Sequence, residues 1–263
     1  MRLSESCLSF SVLILVFAVI MLNSQEYLIP DPAKYLYNLG VDQLKIGNAD
    51  SALSLFMGSA RIDSTFPWVY VGIANALYLK GDLNRAIGAN MRALELDSTL
   101  IEPAINLGKI YYELGNYPNS ISWLKRIWAR YPHIASVNLM IGQNYFFLEE
   151  DDSAEIYYRY AIKCAPNSPD PWISLGVLFR AQGKYDEALN AFYIAESLDS
   201  TIALVRYNIA CTYVLKGDKS RALDELKMAI KFDPHYIEIS KTDTCFAPVR
   251  EMKGFKKLWK AKK

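Results

Sequence analysis

Small residues recur in this chain at intervals of 34 residues, and this spacing limits the possible fold more than any other feature. In windows that start at residues 33, 67, 101, 135, 169 and 203, the eighth position is Gly or Ala and the twentieth is Ala or Ser. They are Gly40, Ala74, Gly108, Gly142, Gly176 and Ala210, then Ala52, Ala86, Ser120, Ala154, Ala188 and Ala222. The seventh position holds only Leu or Ile. Three restricted columns in one frame, without an insertion, indicate a tandem repeat.

One window, residues 169–202, shows how the pattern works. Its first half carries large apolar residues at helical spacing, Gly183 interrupts the pattern, and a second helical stripe follows. The two stripes consist of Trp172, Leu175, Gly176 and Phe179, then Ala188, Phe192 and Ala195. A small residue at the eighth and twentieth positions allows the two helices to approach closely, while the larger residues fill the space around that contact. Each window is therefore predicted to form a helical hairpin.

This combination of period and residue order resembles the tetratricopeptide repeat. The resemblance covers residues 33–236 in six units, which are 33–66, 67–100, 101–134, 135–168, 169–202 and 203–236. It implies an all-α fold, a right-handed α-solenoid of six helix pairs in which each pair packs only on its neighbours. Hydrophobic residues make up 52% of the chain, which is enough for a continuous core and argues against disorder.

The chain starts with an apolar segment that is separate from the repeats. Residues 1–24 place Arg2 before an apolar run from Leu8 to Leu22, which is shorter than the roughly 20 residues of a membrane span. A signal peptide fits this length, but cleavage after Ser24 would leave the bulky Leu22 where a small residue is preferred. An N-terminal hydrophobic anchor helix with its amino end inside therefore stays open, and a buried first helix of the solenoid is a third alternative. In the first two interpretations the repeats are exported, either to the periplasm or to a membrane-anchored position facing outside the cytoplasm.

Two short segments flank the repeats. Residues 25–32 form a connector that contains two prolines. Residues 237–263 are predicted to cap the last repeat with the apolar face of a short helix and to end in a basic tail. That apolar face comprises Val249, Met252, Phe255, Leu258 and Trp259. The segment also resembles the end-of-group module that closes many bacterial tetratricopeptide arrays, which implies a bacterial protein. The matching residues are Asp243, Phe246, Pro248, Arg250, Phe255 and Leu258.

Residues that carry chemistry are too few and too scattered to suggest an active site. His133 and His235 fall at turns between repeats, and Cys164, Cys211 and Cys245 lie in separate stretches without the spacing of metal ligands. We therefore predict no enzyme activity, no metal and no cofactor. The cysteines of an exported chain allow one disulfide beside a free thiol, but the sequence does not select a pair. Cys211 fits the role of a small buried hydrophobe.

Charge is unevenly distributed along a chain whose net charge is +1. The acidic run from Glu149 to Asp152 replaces the glycine that stands at the fifteenth position of the other units. We expect these carboxylates to stabilise the amino end of the following helix. The basic residues after Val249 are expected to surround the capping helix, and binding to nucleic acid is not predicted for an exported chain.

The resemblance also implies where a partner would bind. In the family, positions 2, 5, 9, 12 and 13 of each unit face a concave groove, and we carry the following groove residues over to this chain. They are Tyr37, Trp68, Asn75, Tyr78, Lys109, Tyr112, Leu139, Gln143, Phe146, Ile173, Arg180 and Tyr207. The resulting groove is aromatic and apolar with scattered polar groups, and it lacks the lysine pattern of the clamp that captures chaperone tails.

These observations predict a non-catalytic scaffold for protein–protein interaction, exported and associated with the cell envelope, which binds a protein or peptide partner in the groove. Three alternatives stay open. The aromatic residues could pack within the chain's own core, the chain could form a homo-oligomer through its groove or an end repeat, or it could be an accessory subunit of a modifying enzyme. An uncleaved N-terminal segment would add contact with a membrane.

Overall fold

The computed structural model describes residues 31–260, which divide into two compact units, 31–99 and 100–260. Among these residues the secondary structure is helical, with fourteen α-helices and one 3-10 helix. The predicted signal or anchor segment, most of the connector and the end of the basic tail lie outside the described residues. No helix within 31–260 is long and apolar enough to cross a membrane.

The first unit contains two helix pairs. Its helices are α1 (Pro32–Lys45), α2 (Ala49–Ile62), α3 (Pro67–Leu79) and α4 (Leu83–Leu96). Phe56 of α2 is fully buried beside Ala52 of the same helix and Ala76 of α3.

The second unit contains four helix pairs followed by a C-terminal segment. The pairs are α5 (Glu102–Glu113) with α6 (Tyr117–Trp128), α7 (Ala135–Phe147) with α8 (Asp151–Cys164), α9 (Pro169–Ala181) with α10 (Tyr185–Leu198), and α11 (Ala203–Lys216) with α12 (Lys219–Phe232). The C-terminal segment consists of α13 (Tyr236–Thr242), a 3-10 helix (Thr244–Val249) and α14 (Lys253–Lys260). One continuous core runs from α7 and α8 to the C-terminal segment.

In the 34-residue repeats, the residue at the eighth position is small because a large side chain from the second helix of the repeat lies against it. In the pair α7–α8, a Cβ built on Gly142 would lie 2.6 Å from Cδ1 of Tyr158, and the same arrangement joins Gly176 to the ring of Phe192. We had predicted that the small residues bring the two helices together. The structure shows in addition that each of these glycines makes room for one buried aromatic ring.

The turn inside each pair depends on a left-handed residue. Gly47, Gly81, Gly115, Gly183 and Gly217 have φ between +70° and +89° there. At the equivalent turn Glu149 has φ +60°, and among the described residues it is the only non-glycine with a positive φ. Asp151 and Asp152 lie in the first turn of α8 as predicted, but Glu150 precedes that helix without a side-chain cap hydrogen bond.

The substitution Glu149→Gly is expected to increase the free energy of unfolding by about 1 kcal/mol, because glycine removes the steric cost of the left-handed conformation. Urea denaturation followed by circular dichroism measures the change. Glu150→Gly is the matched control, since Glu150 has φ −91° and glycine there gives no such relief. Equal midpoints for wild type and Glu149→Gly would contradict the assignment of strain to this turn.

The C-terminal segment packs on the last helix pair. Phe246, Val249 and Phe255 are fully buried in the core of the second unit. The predicted capping helix starts at Lys253 instead of Val249, because the residues around Pro248 form the 3-10 helix. Met252, which was predicted on the apolar face of that helix, is exposed.

Candidate functional site

The predicted groove residues of the second unit lie on the first helices of its pairs. Helix α5 carries Lys109 and Tyr112, helix α7 carries Leu139, Gln143 and Phe146, helix α9 carries Ile173 and Arg180, and helix α11 carries Tyr207. Successive first helices contact one another, so that α5, α7, α9 and α11 form one face. We call it the inner face of the second unit.

A cluster of four aromatic rings lies at the α5–α7 end of the inner face. The ring centroid of Tyr112 is 5.6 Å from that of Phe147 and 5.8 Å from that of Tyr117, both in edge-on contact. Tyr117 stacks on Phe147 at 5.2 Å, and Phe146 contacts Phe147 at 5.6 Å. Phe147 is 50% exposed although it is large and apolar. Burial raises the pKa of the Tyr112 hydroxyl above its usual range.

Sequence reasoning identified only part of this cluster. Tyr112 and Phe146 were predicted as groove residues, and both are half-buried within it. Phe147 occupies position 13, which the resemblance also places in the groove, and its exposure makes it the accessible member of the cluster. Tyr117 was missed because it opens the second helix of its pair, where no groove position is expected, and only its aromatic character could have indicated it.

The α11 end of the inner face is filled by the chain itself. Ile173 is 8% and Tyr207 is 6% exposed. Neither residue therefore offers a partner the accessible surface that the sequence predicts. The ring of Tyr207 lies 4.7 Å from that of Tyr236 and 5.4 Å from that of Phe246. Its hydroxyl donates to the carboxylate of Asp243. The C-terminal segment therefore occupies the place that we had assigned to a partner.

A disulfide holds that segment against α11. Cys211, at position 9 of the last unit, is bonded to Cys245, with a Cα–Cα distance of 5.7 Å. Cys211 is 4% exposed, as expected of a small buried residue, but it is also one half of a disulfide, which the sequence allowed without selecting the pair. Among the described residues Cys164 is the one free thiol.

Arg180 is also committed to internal contacts at this end. Its Nη1 donates to Oδ1 of Asn208 at 2.8 Å. Desolvation lowers the pKa of its guanidinium below the usual value. Arg180 therefore connects α9 to α11, and its hydrogen-bonding capacity is partly used within the fold.

In the first unit, the predicted groove residues differ in exposure. Tyr37 is half-buried, with its ring 5.6 Å from Phe56 and 5.2 Å from Phe66, so that it belongs to the edge of the core. Trp68 is exposed, whereas Asn75 and Tyr78 are half-buried.

The described residues do not assemble a constellation for metal binding. No group of three or more His, Cys, Asp or Glu side chains between residues 31 and 260 is arranged to hold a metal ion. His133 and His235 are both exposed at turns. The arrangement that the site does offer is an aromatic surface at the α5–α7 end of the inner face.

Comparisons with known proteins agree with this architecture. Family models described as tetratricopeptide repeat match residues 157–190 and 203–236, and the second of these ranges coincides with the last predicted unit. The BBSome complex member BBS4 of Bos taurus is 24% identical over 203 residues, and the match covers 77% of this chain and 39% of that protein. The Superkiller complex protein 3 of Mus musculus is 24% identical over 217 residues, which are 80% of this chain and 14% of that protein. The chain thus spans less than half the length of these relatives.

Solved structures show the same fold. The crystal structure of MamA is 24% identical with a TM-score of 0.56, and the match covers 63% of this chain and 97% of that chain. YrrB, described as a TPR protein with an unusual peptide-binding site, is 25% identical with a TM-score of 0.53 and covers 68% of this chain and 92% of that chain. The repeated helix pairs, the matched family models and these structural neighbours establish that this chain is a tetratricopeptide repeat protein.

Proposed function

We propose that this chain is a non-catalytic scaffold that binds a segment of a protein partner at the α5–α7 end of the inner face. The observation that carries the proposal is the aromatic cluster of Tyr112, Tyr117, Phe146 and Phe147, in which Phe147 remains half exposed. Aromatic side chains at the centre of an interface supply a large part of the binding free energy. The relatives named as complex members and the neighbour described as having a peptide-binding site support this choice.

We further propose that the protein is exported and associated with the envelope. Two observations support this location. The apolar run from Leu8 to Leu22 has the length of a signal-peptide core, and the described residues contain the Cys211–Cys245 disulfide. Disulfides persist in oxidising compartments and are rare in a reducing cytosol.

Replacing Phe147 with Ala in the full chain is expected to reduce the capture of at least one envelope protein by about tenfold or more, because an exposed aromatic anchor is lost. Quantitative mass spectrometry of proteins retained from envelope extract by wild type and variant measures the change. The matched control is Tyr35→Ala, an exposed aromatic on α1 in the first unit. An identical set of retained proteins for wild type and Phe147→Ala, with unchanged melting of the variant, would refute the assigned binding face.

Self-association can be tested with the same purified wild type and Phe147→Ala variant. If the aromatic cluster pairs two copies of the chain, sedimentation velocity of the wild type shows a concentration-dependent dimer that Phe147→Ala abolishes. A monomer at every concentration excludes this alternative.

A further inference from the structure

The chain contains one long stretch without carboxylates, and it covers α6 and α7. Between Leu114 and Leu148 there is no Asp or Glu, although the whole chain has 28 acidic residues beside 29 basic ones. The stretch does contain three cations, Lys125, Arg126 and Arg130, all on α6 or directly after it. All three are exposed.

Each of these cations lies beside an aromatic side chain instead of a carboxylate. The guanidinium of Arg126 is 4.5 Å from the ring centroid of Trp123, and that of Arg130 is 5.6 Å from the ring of Tyr131. Lys125 lies 5.3 Å from the ring centroid of Tyr145, and its Nζ donates to the hydroxyl of that residue at 2.7 Å.

Aromatic rings orient a cation without neutralising it. Within residues 31–260 none of the three cations forms an ion pair. Several other exposed basic residues of the second unit do, as in Lys227 with Asp224 at 2.8 Å. The charge of Glu150 acts on Lys125 without forming an ion pair with it, and Glu155 is held by Arg159 at 2.7 Å. Helix α6 and the turn after it therefore carry three positive charges and no carboxylate, while the adjoining α8 contributes exposed Asp152.

The adjoining part of α8 adds apolar and aromatic area to this surface. The ring of Trp128 lies edge-on to Tyr157 at 6.0 Å and to Tyr160 at 6.4 Å, and its Nε1 donates to Oδ1 of Asn138 at 3.0 Å. Tyr160 is 43% and Ile156 is 54% exposed. We call this surface of α6 and α8, with its three cations, the basic aromatic face. It consists of residues other than the aromatic cluster proposed as the partner-binding site.

We propose that the basic aromatic face rests on an anionic lipid surface. Arginine binds phosphate groups through two parallel hydrogen bonds, and two of the three cations are arginines. Tryptophan and tyrosine favour the boundary between headgroups and acyl chains, where an exposed Ile156 also gains by leaving water. The sequence also gives a reason for a bilayer to be close to the protein, because a retained Leu8–Leu22 segment would hold the chain at a membrane.

Single-stranded nucleic acid fits this surface less well. Its binding sites offer free ring faces on which bases stack. Here the two arginines already lie over the rings of Trp123 and Tyr131. The ring of Tyr145 stacks on that of Tyr157 at 5.6 Å, and Trp128 meets its aromatic neighbours edge-on. The face therefore offers charge and amphipathic rings rather than a stacking platform.

The test uses the full chain with vesicles of phosphatidylcholine alone or mixed with an equal part of phosphatidylglycerol. Because the N-terminal segment can bring the chain to both kinds of vesicle, binding as such is not the measurement. Hydroxyl-radical oxidation of Tyr160 and Ile156, read by mass spectrometry against exposed Tyr193 on α10, reports whether the face itself is covered. The charge-reversed variant is Arg126→Glu/Arg130→Glu, and the matched control is Lys227→Glu/Lys231→Glu on α12.

Electrostatic attraction predicts that oxidation of Tyr160 and Ile156 falls about threefold or more on the anionic vesicles only. The protection should disappear in the charge-reversed variant and persist in the control. Equal protection on both vesicle types, no protection on either, or protection that survives charge reversal would overturn the proposal. Protection by polyuridylic acid or by an acidic protein, with none by vesicles, would reassign the face to that partner and also overturn it. The capture of envelope proteins through Phe147 is measured separately, so that either proposal can fail alone.

Discussion

Replacing Cys211 and Cys245 with Ser is expected to lower the free energy of unfolding of the second unit by about 4 kcal/mol. The two cysteines are 34 residues apart, and closing a loop of that length removes conformational entropy from the unfolded chain. Urea denaturation followed by circular dichroism, with and without a thiol reductant, measures the loss. Reduced wild type and the double variant should unfold at the same midpoint.

The free thiol provides the control for this experiment. Cys164→Ser should change stability by about 0.5 kcal/mol or less, because Cys164 is only half-buried and has no disulfide partner. The C-terminal segment should remain on α11 after reduction, since Phe246 and Val249 stay buried through apolar packing. Hydrogen exchange at Phe246 would then increase without reaching the rate of an unfolded segment. Reduction that leaves the midpoint unchanged would show that the Cys211–Cys245 bond does not form in the protein.

The helices could be predicted from the sequence, because helix formation follows local rules. The two stripes of residues 169–202 became α9 and α10, separated at Gly183, because glycine ends one helix and apolar spacing defines the next. Asn48 and Asp218 accept hydrogen bonds from backbone N–H groups in the first turns of α2 and α12, and these caps mark where those helices begin. Such features depend on residues within one turn of each other.

Coverage of the inner face depends on residues far apart along the chain, and the sequence did not reveal it. Tyr207 has the position of a groove residue, but it is covered by Asp243 and Phe246, which come from the C-terminal segment. The choice of Cys245 over Cys164 as the partner of Cys211 has the same origin. Family positions indicate which face a side chain occupies, whereas tertiary packing decides whether that face meets solvent or the chain's own end.

The partners of charged residues were equally difficult to predict. The sequence shows Lys125, Arg126 and Arg130, but it does not show that aromatic rings rather than carboxylates lie beside them. Trp123 belongs to α6, Tyr131 to the turn after it and Tyr145 to α7, so the arrangement combines local spacing with packing between helices. The lack of an ion pair at an exposed cation is therefore a property of the folded surface.

The substitution Gly142→Leu is expected to cost about 3 kcal/mol, and Gly142→Ala about 2 kcal/mol, because both overpack the contact between α7 and α8. A Cβ at Gly142 would lie 2.6 and 2.7 Å from two ring atoms of Tyr158 and 3.3 Å from the carbonyl oxygen of Ala154. Tyr158 is almost fully buried, so its ring cannot move aside without disturbing the core. Urea midpoints and hydrogen exchange of α7 and α8 measure the effect.

The opposite sign is expected at an open glycine. Gly88 lies within α4 in the first unit, and a Cβ built there meets no atom within 4 Å. Gly88→Ala should therefore stabilise its helix by about 0.5–1 kcal/mol, since alanine loses less backbone entropy on folding. Hydrogen exchange of α4 isolates this gain from the second unit. If Gly142→Ala were neutral while Gly88→Ala was stabilising, the close contact between Gly142 and Tyr158 would be wrong. If both substitutions were destabilising by similar amounts, the free space around the glycine would not decide the sign of the effect. The small residue at the eighth position would then need a cause other than the aromatic ring beside it.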